Sequence, residues 1–153
     1  MPNEPTFDLK AAHKYFSAHC FNSAWGLIDK ENRTPVEDQE MIALNQASLW
    51  HWTQREDCTP KNMSIGYWQT SRIYALLGRD HPARKYGQLS LDNAKDAEPF
   101  FIAYAHEALA RAAKVAGDTG MMHEHLAQAR KQAEAITDAE SKKMLEDDLD
   151  TIG

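Results

Sequence analysis

The amino-acid sequence predicts an all-α protein built from stacked helical hairpins. The stretch 66–95 recurs at a fixed offset of 39 residues as 105–134, helix-start signals recur along the chain, and no window alternates as a strand does. The offset lays Gly78 on Gly117, so each copy reads as helix, glycine-led turn and helix. Because repeated hairpins bury their faces against their neighbours, the sequence predicts a stack.

The helix boundaries follow from local start and stop signals. Thr34 to Glu37 reads as a capping box with proline at the first helical position, and Pro60, Pro82 and Pro99 mark further helix starts. Glycine at the end of a periodic segment marks a stop. The sequence predicts seven helices, at 7–30, 35–56, 60–77, 82–96, 99–116, 119–136 and 139–151.

The first two helices carry apolar residues on more than one side. A stripe at helical spacing on the first helix comprises Leu9, Ala12, Phe16, Cys20, Ala24 and Leu27. Large rings close-pack helix pairs. We therefore expect the N-terminal aromatic residues to lie in the core; they are Phe21, Trp25, Trp50 and Trp52.

The length of 153 residues suits one domain, 1–153. Its expected parts are a helix pair at 7–56, hairpins at 60–96 and 99–136, and a capping helix at 139–151. That last helix is rich in acids, which is typical of a solvated cap.

The composition of the chain argues against some classes of partner and predicts where the protein is located. The net charge of −6 argues against binding to nucleic acid, which depends on neutralised phosphates. No apolar run approaches the ~20 residues of a membrane span, and the first residues lack the pattern of a secretion signal, so we expect a cytoplasmic protein without a membrane partner. Cys20 and Cys58 lack the spacing of a zinc or redox motif, and we expect both to be reduced thiols.

The repeat resembles the tetratricopeptide family of helical hairpins. In the first copy the residues that carry the resemblance are Tyr67, Ser71, Tyr74, Gly78, Ala83 and Ser90; in the second they are Leu109, Ala110, Gly117, Met122, Leu126 and Ala129. The chain departs from the pattern at Gly87, where a bulky residue is usual, and in its period of 39 rather than ~34. Phrases such as SRIYALLG and AYAHEALARA also resemble small bacterial proteins of this hairpin type.

This resemblance implies a tetratricopeptide-like superhelix of three hairpins plus a C-terminal capping helix. It also implies a concave groove lined by the first helix of each hairpin, in which a peptide or protein segment binds. The residues expected to line the groove are Trp68, Arg72, Tyr104, Glu107, Arg111 and Lys114.

The charged residues of this groove leave two alternatives open. In one, Arg72, Arg111 and Lys114 hold a carboxylate or phosphate of a ligand, while Trp68 and Tyr104 pack against its apolar part. In the other, Glu107 pairs with Arg111 four residues later and with Arg72 across the helices, and the charges only stabilise the fold.

The histidines provide secondary candidates, His51 and His106. No zincin motif exists, because the second histidine of each HE pair is replaced by Ala110 or Ala127. The segment Met121 to His125 offers soft ligands for copper or nickel, but a structural role is favoured, and we predict neither a metal nor another cofactor.

The sequence therefore predicts a small interaction module that binds a peptide or protein segment. No nucleotide-binding or nucleophile motif is present. The alternative is a small all-α enzyme or metal-binding protein that uses buried histidines. A third reading is a structural unit that forms homo-oligomers.

Overall fold

The computed structural model describes residues 3–153, and within them it contains seven helices and no strand. The helices are α1 (Leu9–Ile28), α2 (Pro35–Thr53), α3 (Pro60–Leu76), α4 (Asp80–Ala94), α5 (Pro99–Ala116), α6 (Thr119–Ala133) and α7 (Ala139–Asp150). The prediction of an all-α protein is confirmed, and every predicted helix start lies within two residues of an observed one. None of the helices in the described part of the chain is long and apolar enough to cross a membrane.

Side-chain caps account for several of the helix starts. At α2 the predicted capping box is present: the Thr34 hydroxyl accepts a hydrogen bond from the Glu37 amide (3.2 Å), and the Glu37 carboxylate accepts one from the Thr34 amide (3.1 Å). At α1, α6 and α7 the side chains of Asp8, Asp118 and Asp138 each accept a hydrogen bond from a backbone amide of the first turn. Each cap satisfies a backbone N–H group that the helix leaves unpaired.

Gly78 and Gly117 end helices α3 and α5 in the left-handed conformation, with φ of 70° and 75°. After each glycine the next amide returns to the helix, from Arg79 to the Tyr74 carbonyl and from Asp118 to the Ala113 carbonyl, both at 2.9 Å. This is the Schellman arrangement, in which glycine avoids the steric cost of a Cβ atom. The glycine-led turns that the repeat predicts are therefore confirmed.

The chain divides into two compact units, one of residues 3–59 and one of residues 60–153. Unit 1 is the α1–α2 hairpin. Its buried positions follow one stripe on each helix: Ser17, Cys20, Ala24 and Ile28 on α1, and Met41, Asn45, Ser48 and Leu49 on α2. Ser48 donates a hydrogen bond to the Ser17 carbonyl at 2.7 Å, so the two helices lie close together at this point.

The expectation that the N-terminal aromatic residues lie in the core is wrong for Trp50, which is 55% exposed. Phe16 and Leu9 from the predicted stripe are also exposed. These side chains lie beside the buried stripes rather than on them, and burial of the stripe Ser17 to Ile28 does not cover the neighbouring faces.

Unit 2 contains helices α3 to α7. Small residues let α3, α4 and α5 approach closely: the Ser71 hydroxyl donates to the Ala83 carbonyl (2.7 Å), and a Cβ atom at Gly87 would lie 3.0 Å from Leu109 Cδ2. A side chain at position 87 would therefore press on Leu109, so glycine allows α4 to lie this close to α5. Helices α5, α6 and α7 share an apolar core of Ala103, Tyr104, Ala110, Leu126, Ala129, Ala133, Leu145, Leu149 and Ile152.

A matched pair of glycine substitutions tests the turn. Gly78→Ala places a Cβ atom at φ of 70° and is expected to lower the free energy of unfolding by ~1–2 kcal/mol. Gly26→Ala, inside α1 with open space around the new methyl group, is expected to raise it by ~0.5–1 kcal/mol. Urea denaturation measures both, and equal effects of the same sign would contradict the assignment.

Candidate binding site around Glu107

The six residues predicted to line a groove lie together in unit 2. Trp68 and Arg72 are on α3, and the other four, Tyr104, Glu107, Arg111 and Lys114, are on α5. Their spacing of three or four residues puts them on adjoining faces of the two helices.

Glu107 is the centre of this cluster and is fully buried. Its Oε1 accepts hydrogen bonds from Arg72 Nη1 (3.0 Å) and from Nε and Nη2 of Arg111 (2.9 and 2.6 Å), and its Oε2 accepts one from Trp68 Nε1 (2.8 Å). A buried carboxylate is very costly unless it is paired and hydrogen-bonded. Two guanidinium groups and one indole satisfy that requirement here.

Arg111 and Lys114 also bind the C-terminal end of α7. Arg111 Nη2 donates to the Asp148 carbonyl (3.3 Å) and the Thr151 hydroxyl (3.0 Å), and Lys114 Nζ donates to the Ile152 carbonyl (2.8 Å). The last carbonyl groups of a helix have no partner within it and carry a partial negative charge. The two cations thus fix α7 against α5.

Tyr104 makes a second contact between α5 and α7, because its hydroxyl donates to Asp148 Oδ2 at 2.7 Å. Burial raises the pKa of the Tyr104 phenol, and the Asp148 carboxylate acts in the same direction. Tyr104 therefore remains a neutral hydrogen-bond donor. Its ring also packs edge-on against Trp68, with ring centroids 5.2 Å apart.

Arg72 and Arg111 differ in which nitrogen atoms of the guanidinium group are hydrogen-bonded within the protein. Arg111 uses its Nε and Nη2 atoms on Glu107, and Arg55 in unit 1 presents the same two atoms to the carboxylate of Asp57, at 2.8 and 2.6 Å. In Arg72 only Nη1 is bonded, to Glu107, and Nε and Nη2 donate to no described residue. Because no fully buried side-chain nitrogen in the described part of the chain lacks a partner, neither of these two atoms is fully buried.

The sequence leaves open whether the two arginines pair with Glu107 or are free to hold a ligand. In the structure both Arg72 and Arg111 pair with Glu107. Arg111 is bound through its Nε and Nη2 atoms to Glu107 and to the end of α7. Arg72 is held by Glu107 through Nη1. Its Nε–Nη2 edge, which in arginine–carboxylate pairs can donate two parallel hydrogen bonds, has no partner among the described residues. Burial lowers the pKa of Arg72, Glu107 opposes this effect, and Arg111 adds to it.

Trp68 is more closely tied to the fold than a groove-lining residue needs to be. It packs partly buried against the α5–α6–α7 core, and its indole nitrogen donates to Glu107. Trp68 thus helps to position the carboxylate that holds Arg72.

The secondary candidates His51 and His106 each contact a second histidine. His51 Nδ1 lies 2.8 Å from His13 Nδ1 in unit 1, and His106 Nδ1 lies 3.0 Å from His125 Nδ1 in unit 2. His123 of the Met121–His125 segment is exposed. Among the described residues no group of three or more histidine, cysteine or acidic side chains could hold a metal ion.

Sequence reasoning missed the part that α7 plays and the partners of the histidines. Asp148, Thr151 and Ile152 contact the site through three backbone carbonyls and two side chains, and residue types do not reveal a contact that the backbone makes. The histidine pairs join positions 38 and 19 residues apart. No local spacing rule connects residues that far apart.

Unit 2 is thus defined as a stack of helices around a buried charge cluster. Comparisons of the chain with known protein families, curated proteins and solved structures find no match in any of the three.

The charge cluster predicts a large stability effect at one position. Glu107→Gln keeps the size of the side chain but removes the charge that Arg72 and Arg111 share, and breaking a buried pair in this way costs ~3–5 kcal/mol. The matched change Asp147→Asn, in an exposed pair with Lys143, is expected to have little effect. Urea denaturation compares the two, and a similar small effect of both would show that the cluster does not stabilise the fold.

Proposed function

We propose that unit 2 is an interaction module that binds a peptide or protein segment through a carboxylate on the face formed by α3 and α5. The observation that carries the proposal is the unoccupied edge of Arg72. Its Nε and Nη2 atoms have no partner among the described residues and are not fully buried, whereas Arg55 and Arg111 each use the same pair of atoms on a carboxylate.

Glu107 supports this role by holding Arg72 in place before a ligand arrives. The side chain of Arg72 is 19% exposed, and its third nitrogen is bonded to a fully buried carboxylate. A side chain that is already ordered loses little conformational entropy on binding, so more of the interaction energy appears as affinity.

Charge balance also favours an anionic ligand. The cluster contains three cations, Arg72, Arg111 and Lys114, and two carboxylates, Glu107 and Asp148, which leaves one net positive charge. A ligand carboxylate would neutralise that charge in a partly desolvated setting, where charge-assisted hydrogen bonds are strong.

A display library of random peptides with free C-termini tests the proposal. The wild-type protein is expected to enrich peptides that carry an acidic side chain or depend on their terminal carboxylate. Arg72→Gln is expected to weaken those peptides ~10–100-fold, since hydrogen bonds to charged groups contribute ~1.5–3 kcal/mol. Isothermal titration calorimetry with the enriched peptides measures the loss.

Two control variants separate binding from folding. Arg130→Gln removes an exposed arginine of α6 and should leave binding unchanged. Arg111→Gln should lower the stability of the protein more than Arg72→Gln does, because Arg111 also holds α7. If no peptide is enriched, or if Arg72→Gln binds as the wild type does, the proposed function is wrong.

A further inference from the structure

Two hairpins of the protein are each bridged by a pair of histidines. His13 on α1 meets His51 on α2, and His106 on α5 meets His125 on α6, with Nδ1 atoms 2.8 and 3.0 Å apart. Both contacts therefore join the two helices of one hairpin, and one occurs in each unit.

The number of protons on the two imidazole rings decides whether the two Nδ1 atoms can stay in contact. In a neutral pair one Nδ1 carries the hydrogen and the other accepts it, so the two rings hold opposite tautomers. One added proton leaves an imidazolium that still donates to a neutral ring. A second added proton places two N–H groups and two positive charges against each other, and the contact cannot persist.

The surroundings of the His106–His125 pair resist its protonation. Burial lowers the pKa of His106 to about 4, and the nearby His125 acts in the same direction. Burial also lowers the pKa of His125, with Arg84 of α4 adding to the effect and Glu124 of α6 opposing it.

Other charged groups lie around this pair on both faces of α5. A cavity of about 110 Å³ beside His125 is lined in part by Asp80 and His81 of α4 and by Asp118 at the start of α6. On the other face of α5, Arg72 from α3 is paired with Glu107, and Asp148 from α7 accepts a hydrogen bond from Tyr104.

The His13–His51 pair has a similar setting. Burial lowers the pKa of His51, and the charge of His13 adds to this. A cavity of about 240 Å³ beside His13 is lined by five charged residues, which are Lys10 and Lys14 of α1 and Arg55, Glu56 and Asp57 of the segment after α2. Lys10 is paired with Glu56 and Arg55 with Asp57, and Lys14 lies beside these two ion pairs.

We propose that the two histidine pairs are acid-sensitive clasps that hold the α1–α2 and α5–α6 hairpins closed near neutral pH and release them when both rings of a pair become protonated. The stability of each hairpin is expected to fall with the pH, because protonation is linked to opening of the contact. A histidine whose pKa is lowered in the folded state binds a proton more readily once the contact opens. For His106 the stabilising effect of the contact is therefore complete above pH 6.5 and is lost as the pH falls toward 4.

Nitrogen NMR of the full chain labelled with ¹⁵N-histidine tests the contact directly. At pH 7 we expect His106 and His125 to show opposite neutral tautomers, and between pH 6 and 4 we expect both to become charged as the amide protons of α6 lose protection from exchange. Identical tautomers at pH 7, or two charged rings with protection retained, would overturn the proposal. A spectrum that changes on addition of EDTA would also overturn it, because the pair would then hold a metal.

A matched pair of variants tests the energetic consequence. In the wild type the equilibrium constant of unfolding is expected to rise ~100-fold between pH 7 and 4 from His106 alone, because its pKa is lowered from 6.5 to about 4 and the folded protein is half protonated at this residue at pH 4. His125→Gln, which cannot become charged, should reduce that dependence, whereas His123→Gln on the exposed side of the same helix should not. Equal pH dependence in the two variants would contradict the clasp.

Discussion

The pairing of one buried carboxylate with two guanidinium groups is the interaction on which unit 2 depends. Glu107 has no access to solvent, so its charge is tolerable only because Arg72, Arg111 and Trp68 all donate to it. The cost of burying these charges fixes their relative positions, because any shift that breaks one hydrogen bond leaves a charge without its partner. The cluster therefore sets how α3 lies against α5.

The same cluster connects the helix stack to its C-terminal end. Arg111 reaches from Glu107 to the last turn of α7, where its charge meets carbonyl groups that the helix leaves unpaired. The apolar contacts of Leu145 and Leu149 hold the helix from its other side. Arg111 therefore joins α5 to α7 in addition to pairing with Glu107, whereas Arg72, at the same repeat position, is hydrogen-bonded to Glu107 alone among the described residues.

The fold could be predicted from the sequence to the extent that it is encoded locally. Capping boxes, prolines and turn glycines act within one turn of helix, and the helix starts that they predict are observed within two residues. The convergence of Trp68, Arg72 and Glu107 could also be predicted from helical spacing and the repeat offset. The exposure of Trp50, the role of α7 and the histidine pairs could not, because each depends on which distant side chain or backbone group lies opposite.

A double-mutant cycle tests the central claim most directly. Glu107→Gln is combined in turn with Arg72→Gln and with Arg111→Gln, and the coupling free energies are measured by urea denaturation. The account predicts a substantial coupling of Glu107 to both arginines, larger for Arg111, which donates two hydrogen bonds to the carboxylate where Arg72 donates one. Additive effects in both cycles would show that the carboxylate does not organise the site and would contradict the account.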